Sequence, residues 1–283
     1  MSSATASVGR GPAEVTIRPP SGLAALRFGD LWEYRELVYF LTKRELQIRY
    51  KQSVFGVAWA VMQPLALAFI FAIFFGVLAE VPSEGFPYPL FALAGLVPWL
   101  FVSQTVSQAS ASLVGDSNLL SKVYFPRLVL PLARAASLFL DLLIALVILI
   151  IMTLAYGEGL EPTLLWLPAF LALAIVTALG VGVLLAALNV QYRDVTVAVP
   201  LMVQIWLFTT PVIYPGSLVE GTWRYVFALN PMVSVVDGVR WSLLGAAAPP
   251  PGSVAISVAV ALIVTGIGIV YFRKTEHFFA DLI

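Results

Sequence analysis

Six stretches of roughly 20 mostly apolar residues make up nearly half of this 283-residue chain, and each matches the length a helix needs to cross a hydrocarbon core of about 30 Å. They lie at about 57–79, 88–113, 135–156, 164–188, 195–213 and 254–272. Only 11% of the residues are charged and 60% are apolar, so the polar side chains that would cover a water-facing surface are missing. The sequence predicts an all-α integral membrane protein with six transmembrane helices. The second half of the second stretch carries Gln104, Thr105, Ser107, Gln108, Ser110 and Ser112, a face expected against protein or water rather than lipid.

The flanks are polar in different ways. Residues 1–29, with Arg10, Arg18 and Arg27 among Ser, Ala, Gly and Pro, hold no apolar run that could act as a signal-peptide core, and a disordered tail is expected there. Over 30–52, Tyr34, Leu37, Val38 and Leu41 recur at helical spacing. This predicts an amphipathic helix, lying at lipid headgroup depth through Arg35, Lys43, Arg44, Arg49 and Lys51, or else an ordinary solvated helix. The segment 214–252 is too interrupted by charge and proline to cross; it predicts two short interfacial helices, the second capped by Asn230 with Pro231 at its first position. With six crossings, every one of the 16 Lys and Arg residues except Arg224 and Arg240 falls on one side. That side, with both termini, is expected to be cytoplasmic and the membrane the cytoplasmic (inner) one.

Several chemistries are excluded. Cysteine is absent and histidine occurs once, at His277, which removes thiolate and multi-histidine metal sites; no metal is expected. Sixteen cations balance sixteen acids, so a basic nucleic-acid footprint is missing. The four lysines follow Thr42, Tyr50, Ser121 and Arg273, never glycine, so no phosphate-cradling loop of the Walker type is present. One carboxylate, Asp141, lies within a predicted crossing; it must face protein or a water path, with Arg134 seven residues earlier as its expected partner. Ala178, Gly182 and Ala186 form a small-residue stripe suited to close packing, with Gly266 and Val270 as a weaker one. Pro64 beside Gln63, and Pro98, predict kinks.

Within the basic loop 115–134, Asp116, Ser117 and Asn118 offer caps, residues 119–124 can make two helical turns, and Pro126 stops them. A short helix exposing Leu119, Leu120, Val123, Tyr124 and Phe125 beside Lys122 and Arg127 suits either a groove on another protein or the lipid surface.

The segments YKQSVFGVAWAVMQPL, LAGLVPWLFVSQTVSQASASLVGDSNLLSKVYFPRLVLPLA, NVQYRDV, TPVIYP and LNPMVSVVDGVRWSLLG, in this order, resemble the ABC-2 type permease family, and within it the branch exporting O-antigen, teichoic acid and related polysaccharides. The resemblance implies a permease that is not itself an enzyme, paired with a second copy and with two copies of an ATPase subunit that binds ATP and magnesium. It also implies that Asn118, Leu119, Leu120, Lys122, Tyr124, Phe125 and Arg127 belong to a coupling helix on that ATPase, and that the helices after Tyr214 form an outer gate. A lipid-linked polysaccharide would need a path that does not strip water from its hydroxyls, and aromatic faces can pack on sugar rings. Trp59, Phe71, Phe74, Trp206 and Phe208 are the expected path residues. An exporter of a drug or small lipid, and a membrane enzyme or proton-coupled carrier, are the alternatives.

Overall fold

The computed structural model describes residues 32–51, 55–120, 125–159 and 161–279. The expected tail at 1–29 lies outside them, as do Lys122, Val123 and Tyr124. Every regular element among the described residues is helical. α1 (Arg35–Tyr50) precedes α2 (Ala58–Phe71), which continues as a π-helix (Ala72–Leu78). Then come α3 (Tyr88–Gly115), the single turn α4 (Ser117–Leu120), α5 (Val129–Ala155) and α6 (Leu167–Gln191), the last entered through a 3-10 turn at Pro162–Trp166. α7 (Val195–Phe208), α8 (Trp223–Phe227), α9 (Pro231–Leu244) and α10 (Pro251–Thr275) complete the chain.

Proline sets several helix starts, because its missing N–H falls where no intrahelical acceptor exists. Pro87 precedes α3, Pro231 opens α9 and Pro251 opens α10. The third stretch begins at Val129, earlier than its hydropathy suggests, since Pro131 is tolerated in a first turn and Arg134 finds partners inside the protein. As expected, Asn230 caps α9 by accepting from the Met232 amide. Gly245, at φ 71°, ends it in the left-handed conformation that favours glycine.

α3 is the axis of the bundle. α2, α5, α6, α7 and α9 all pack against it. Of its most apolar window, 83% is buried, against 17% for Ala58–Leu78, so α2 is peripheral. The polar half of α3 turns inward as its composition implies: Thr105, Ser110 and Ser112 are buried, and the Ser110 carbonyl accepts from the Asn189 amide of α6 at 2.9 Å.

Among the described residues, five helices are long and apolar enough to cross a membrane. The expected crossing at 195–213 differs: α7 has 14 residues, about 21 Å at 1.5 Å per residue. Thr209 and Thr210 hydroxyls both return to the Trp206 carbonyl, and Pro211 cannot continue the helical ladder. The segment nevertheless runs from one end of the bundle to the other. Thr196 at its start bonds Asn189 of α6, and the Ile213 carbonyl beyond its end accepts from the Tyr88 hydroxyl at 2.6 Å.

Close helix approach is built on glycine. A Cβ on Gly182 would lie 2.9 Å from that of Ala109, so the stripe with Ala178 and Ala186 packs α6 onto α3. α6 and α10 meet through Gly180 and Gly268, where a Cβ on Gly268 would stand 2.7 Å from the Gly180 carbonyl oxygen. The expected Gly266 contact is absent: nothing lies within 4 Å of its Cβ position, because Gly266 is on the face turned away from α6. Gly180→Ala would place its Cβ 2.2 Å from Thr265 Oγ1 and 2.9 Å from Thr265 Cα. We expect it to lower stability by about 1–3 kcal/mol, seen as a lower melting temperature in lipid nanodiscs, whereas Gly266→Ala should be neutral or stabilising by up to about 1 kcal/mol.

Candidate functional site

The basic end of the bundle gathers α1, α4, the start of α5 and the end of α10. α1 packs its Leu41 and Glu45 inward, and Thr42 Oγ1 lies 3.5 Å from the Ala133 carbonyl of α5. Asp116, buried at the turn between α3 and α4, takes Arg44 of α1 at 3.0 Å and Arg134 of α5 at 2.8 Å. Arg134 also pairs with Glu45. One turn further along α1, Arg49 meets Asp141 at 2.5 Å, with Gln108 of α3 at 2.9 Å, and the Tyr50 hydroxyl donates to the same carboxylate. Three guanidinium groups thus face three carboxylates, and the junction is neutral as a unit. Burial, then the bond to Asp141, raises the Tyr50 phenol from 10.0 to about 12, so it remains a neutral donor.

Two expectations change here. Asp141 pairs with Arg49 rather than Arg134, because α1 folds back along α5 and Arg134 is drawn to Glu45 and Asp116. The five cations expected at headgroup depth divide. Arg44 and Arg49 are tied to carboxylates, while Arg35, Lys43 and Lys51 are exposed, Arg35 lying 5.6 Å over the Trp32 ring.

The loop after α3 starts with the single turn α4, where the Leu119 amide donates to the Asp116 backbone carbonyl at 2.9 Å while the Asp116 carboxylate is taken by Arg44 and Arg134 rather than by a cap. The rest of the helix expected at 119–124 lies outside the described residues. Asn118 is exposed and Leu119 and Leu120 are half-buried. Phe125 is not exposed as expected: it is buried with Leu41, Leu113 and Phe272, since the chain turns inward at Pro126 to enter α5. Arg127 is held by Glu276, its amide 3.0 Å from the carboxylate, and lies over the Phe279 ring.

The opposite end depends on a residue that composition hides. Arg240 of α9 is 2% exposed and aims its guanidinium at the non-helical chain after α7. It donates to the carbonyls of Pro211 and Val212, each at 2.6 Å, of Tyr214 at 3.3 Å and of Phe91 at 3.3 Å. The Phe91 ring lies 3.5 Å beneath it. A Cβ on Gly95 would stand 2.8 Å from its Nη2, so the guanidinium passes over a bare stretch of α3. Backbone that leaves a helix inside apolar surroundings must find new partners, and one planar fork supplies them. The signal in the sequence was the Thr-Thr-Pro at 209–211, which predicts released carbonyls, together with an arginine in a mostly apolar helix whose one acid is Asp237.

The aromatic residues expected along a path separate into two kinds. Trp59, Phe74 and Phe208 are exposed. Phe71 packs edge-on to Phe75 at 5.5 Å, and Trp206 stacks edge-on to Trp99 at 5.7 Å while its indole N–H donates to Asn230 at 2.8 Å. Trp59 borders a cavity of about 180 Å³ between the end of α1 and helices α2, α3 and α5.

Because Arg240 holds several carbonyls at once, Arg240→Lys should leave some unpaired at about 1–3 kcal/mol each. A loss near 3 kcal/mol is expected, measured as a fall in melting temperature with new protease cleavage around 209–216; unchanged melting would mean these carbonyls do not depend on Arg240.

The profile of the ABC-2 type transporter family matches residues 36–244. The O-antigen export system permease protein RfbA of Myxococcus xanthus is 30% identical over 213 residues, covering 75% of this chain and 81% of its own length. The protein of the same name from Klebsiella pneumoniae is 26% identical over 88% of this chain and 95% of its own length. The polysialic acid transport protein KpsM of Escherichia coli is 24% identical over 83% of this chain and 91% of its length. With a multi-pass helical bundle and a family match spanning most of its length, this chain belongs to the ABC-2 type transporter family.

Proposed function

We propose that this chain is the membrane subunit of an ATP-driven exporter that carries a lipid-linked polysaccharide, such as O-antigen or teichoic acid, across the cytoplasmic membrane. The observation that carries the reading is the alignment with an O-antigen export permease over 95% of that protein's length. The absence of a Walker loop in the sequence fits a division of labour, with ATP and magnesium held by a separate ATPase subunit in two copies. The basic end is then the cytoplasmic one, with both termini.

In this reading the ATPase seats on α4 and the residues after it, through Asn118, Leu119, Leu120, Lys122 and Tyr124. Phe125 and Arg127 brace that loop from behind through Phe272, Phe279 and Glu276. Asp116 lies at the root of α4 and is ion-paired to both α1 and α5, so a push on α4 is transmitted to two helices at once. The large apolar side chains that α2 and α7 leave uncovered, among them Phe69, Phe74, Leu201 and Phe208, support a second copy of the chain as their partner. Trp59, Phe74 and Phe208 are then the aromatic contacts open to a passing polymer, while Phe71 and Trp206 back them.

Tyr124→Ala tests the seat. Truncating an anchoring aromatic at an interface typically costs more than a factor of ten, so ATPase recovered with the tagged permease should fall at least about tenfold at equal membrane level. Surface polysaccharide should fall with it. Undiminished ATPase recovery, or export in cells lacking the ATPase, would overturn the reading.

A further inference from the structure

A cavity of about 180 Å³ beside Trp59 is lined by both the ionic junction and the apolar bundle. It is lined by Arg49, Tyr50 and Asp141 of the junction, by Trp59, Gln63 and Gln104, and by apolar side chains of α3 and α5. Each primary amide has two donors and two acceptor lone pairs. The single bond from Gln104 to Gln63, 3.3 Å long, uses one donor and one acceptor, and leaves the rest of this capacity on two side chains that line the hollow. Trp59 lines the hollow, half exposed, with its ring edge-on to Phe55 at 5.6 Å.

An aromatic ring, primary amides and apolar side chains lining one hollow are complementary to a group having apolar C–H faces and a rim of hydroxyls. The charged groups of the lining discriminate further. Arg49 is matched by Asp141 at 2.5 Å and bonded to Gln108 at 2.9 Å, so its positive charge is already satisfied. A phosphate entering here would meet the Asp141 carboxylate without a free cation, and like charge in a partly dry site is repelled. The size also selects, for sites that enclose a drug-sized ligand run to roughly 300–1,000 Å³, and this one has room for a single ring.

We infer that this cavity binds one neutral sugar ring and rejects the phosphate of a lipid carrier. The inference rests on the polysaccharide-export reading and deepens it: the permease engages the cargo by its hydroxylated part, next to the neutral Arg49–Asp141 pair. The ring comes from a glycan on a lipid or from a free oligosaccharide, and the two sources can be separated.

The test uses the full chain in nanodiscs, titrated with octyl β-glucoside below its micelle-forming concentration, with free maltose and with octyl phosphate, while tryptophan fluorescence is read. A saturable change with octyl glucoside and none with octyl phosphate is expected. Trp59→Leu should abolish it, Trp59→Phe should retain binding by competition, and Gln63→Leu should weaken it about tenfold through the lost hydrogen bonds. Trp59 and Gln63 are both exposed, so these variants keep the packed core intact. Saturation by maltose as well would assign the site to glycan from either source; saturation by octyl glucoside alone would assign it to glycolipid. Equal response to octyl phosphate, or a response unchanged in Trp59→Leu, would overturn the inference. No ATPase is present, so absent binding with export intact in cells condemns the cavity alone, and binding with export absent condemns the transport reading alone.

Discussion

Inside a hydrocarbon layer every polar group must find its partner within the protein, and that requirement organises this molecule more than any apolar contact. Lipid tails are as apolar as leucine, so burial of apolar side chains supplies little preference for one helix arrangement over another. The places that define the arrangement are polar ones. At one end, Arg240 gathers carbonyls from the chain after α7 and from α3 and so fixes where α7, α9 and α3 meet. At the other, Asp116 and Asp141 collect arginines from α1 and α5 and fix α1 against the bundle.

These two clusters differ in kind. Arg240 is a buried cation whose hydrogen bonds all go to backbone carbonyls, over an aromatic face, with Asp237 and Glu84 near enough to interact with it electrostatically. The junction around Asp116 has alternatives within reach, since Arg44 and Arg134 share one carboxylate and Arg134 has Glu45 as a second. An ionic cluster of this sort can shift between pairings without exposing a bare charge. It sits at the root of the loop on which the proposed ATPase would press.

Much of this was legible in the sequence, for reasons that are local. A bilayer imposes a length of about 20 apolar residues, so crossings stand out by composition, and Asn230-Pro231 announces a helix start by its own chemistry. What composition could not convey were contacts between distant residues. Asp141 has Arg134 nearby in sequence but pairs with Arg49, 92 residues away, because α1 runs back along α5. Arg240 read as one of two cations on the outer side, and only the unwinding at 209–211 gives it a task. Phe125 read as an exposed anchor, and it is buried because the chain reverses at Pro126. Gly268 and Gly266 are alike in sequence, and the rotation of α10 alone decides that Gly268 meets α6.

The glycine contacts carry one more consequence. Where Gly180 and Gly268 bring two backbones together, neither helix can slide or tilt past the other without collision, and Gly182 against Ala109 imposes the same on α3. α3, α6 and α10 therefore travel as a rigid block. Any widening that a bulky cargo demands falls to the two loosely held staves, α2 with its π-helical stretch and α7 with its early end.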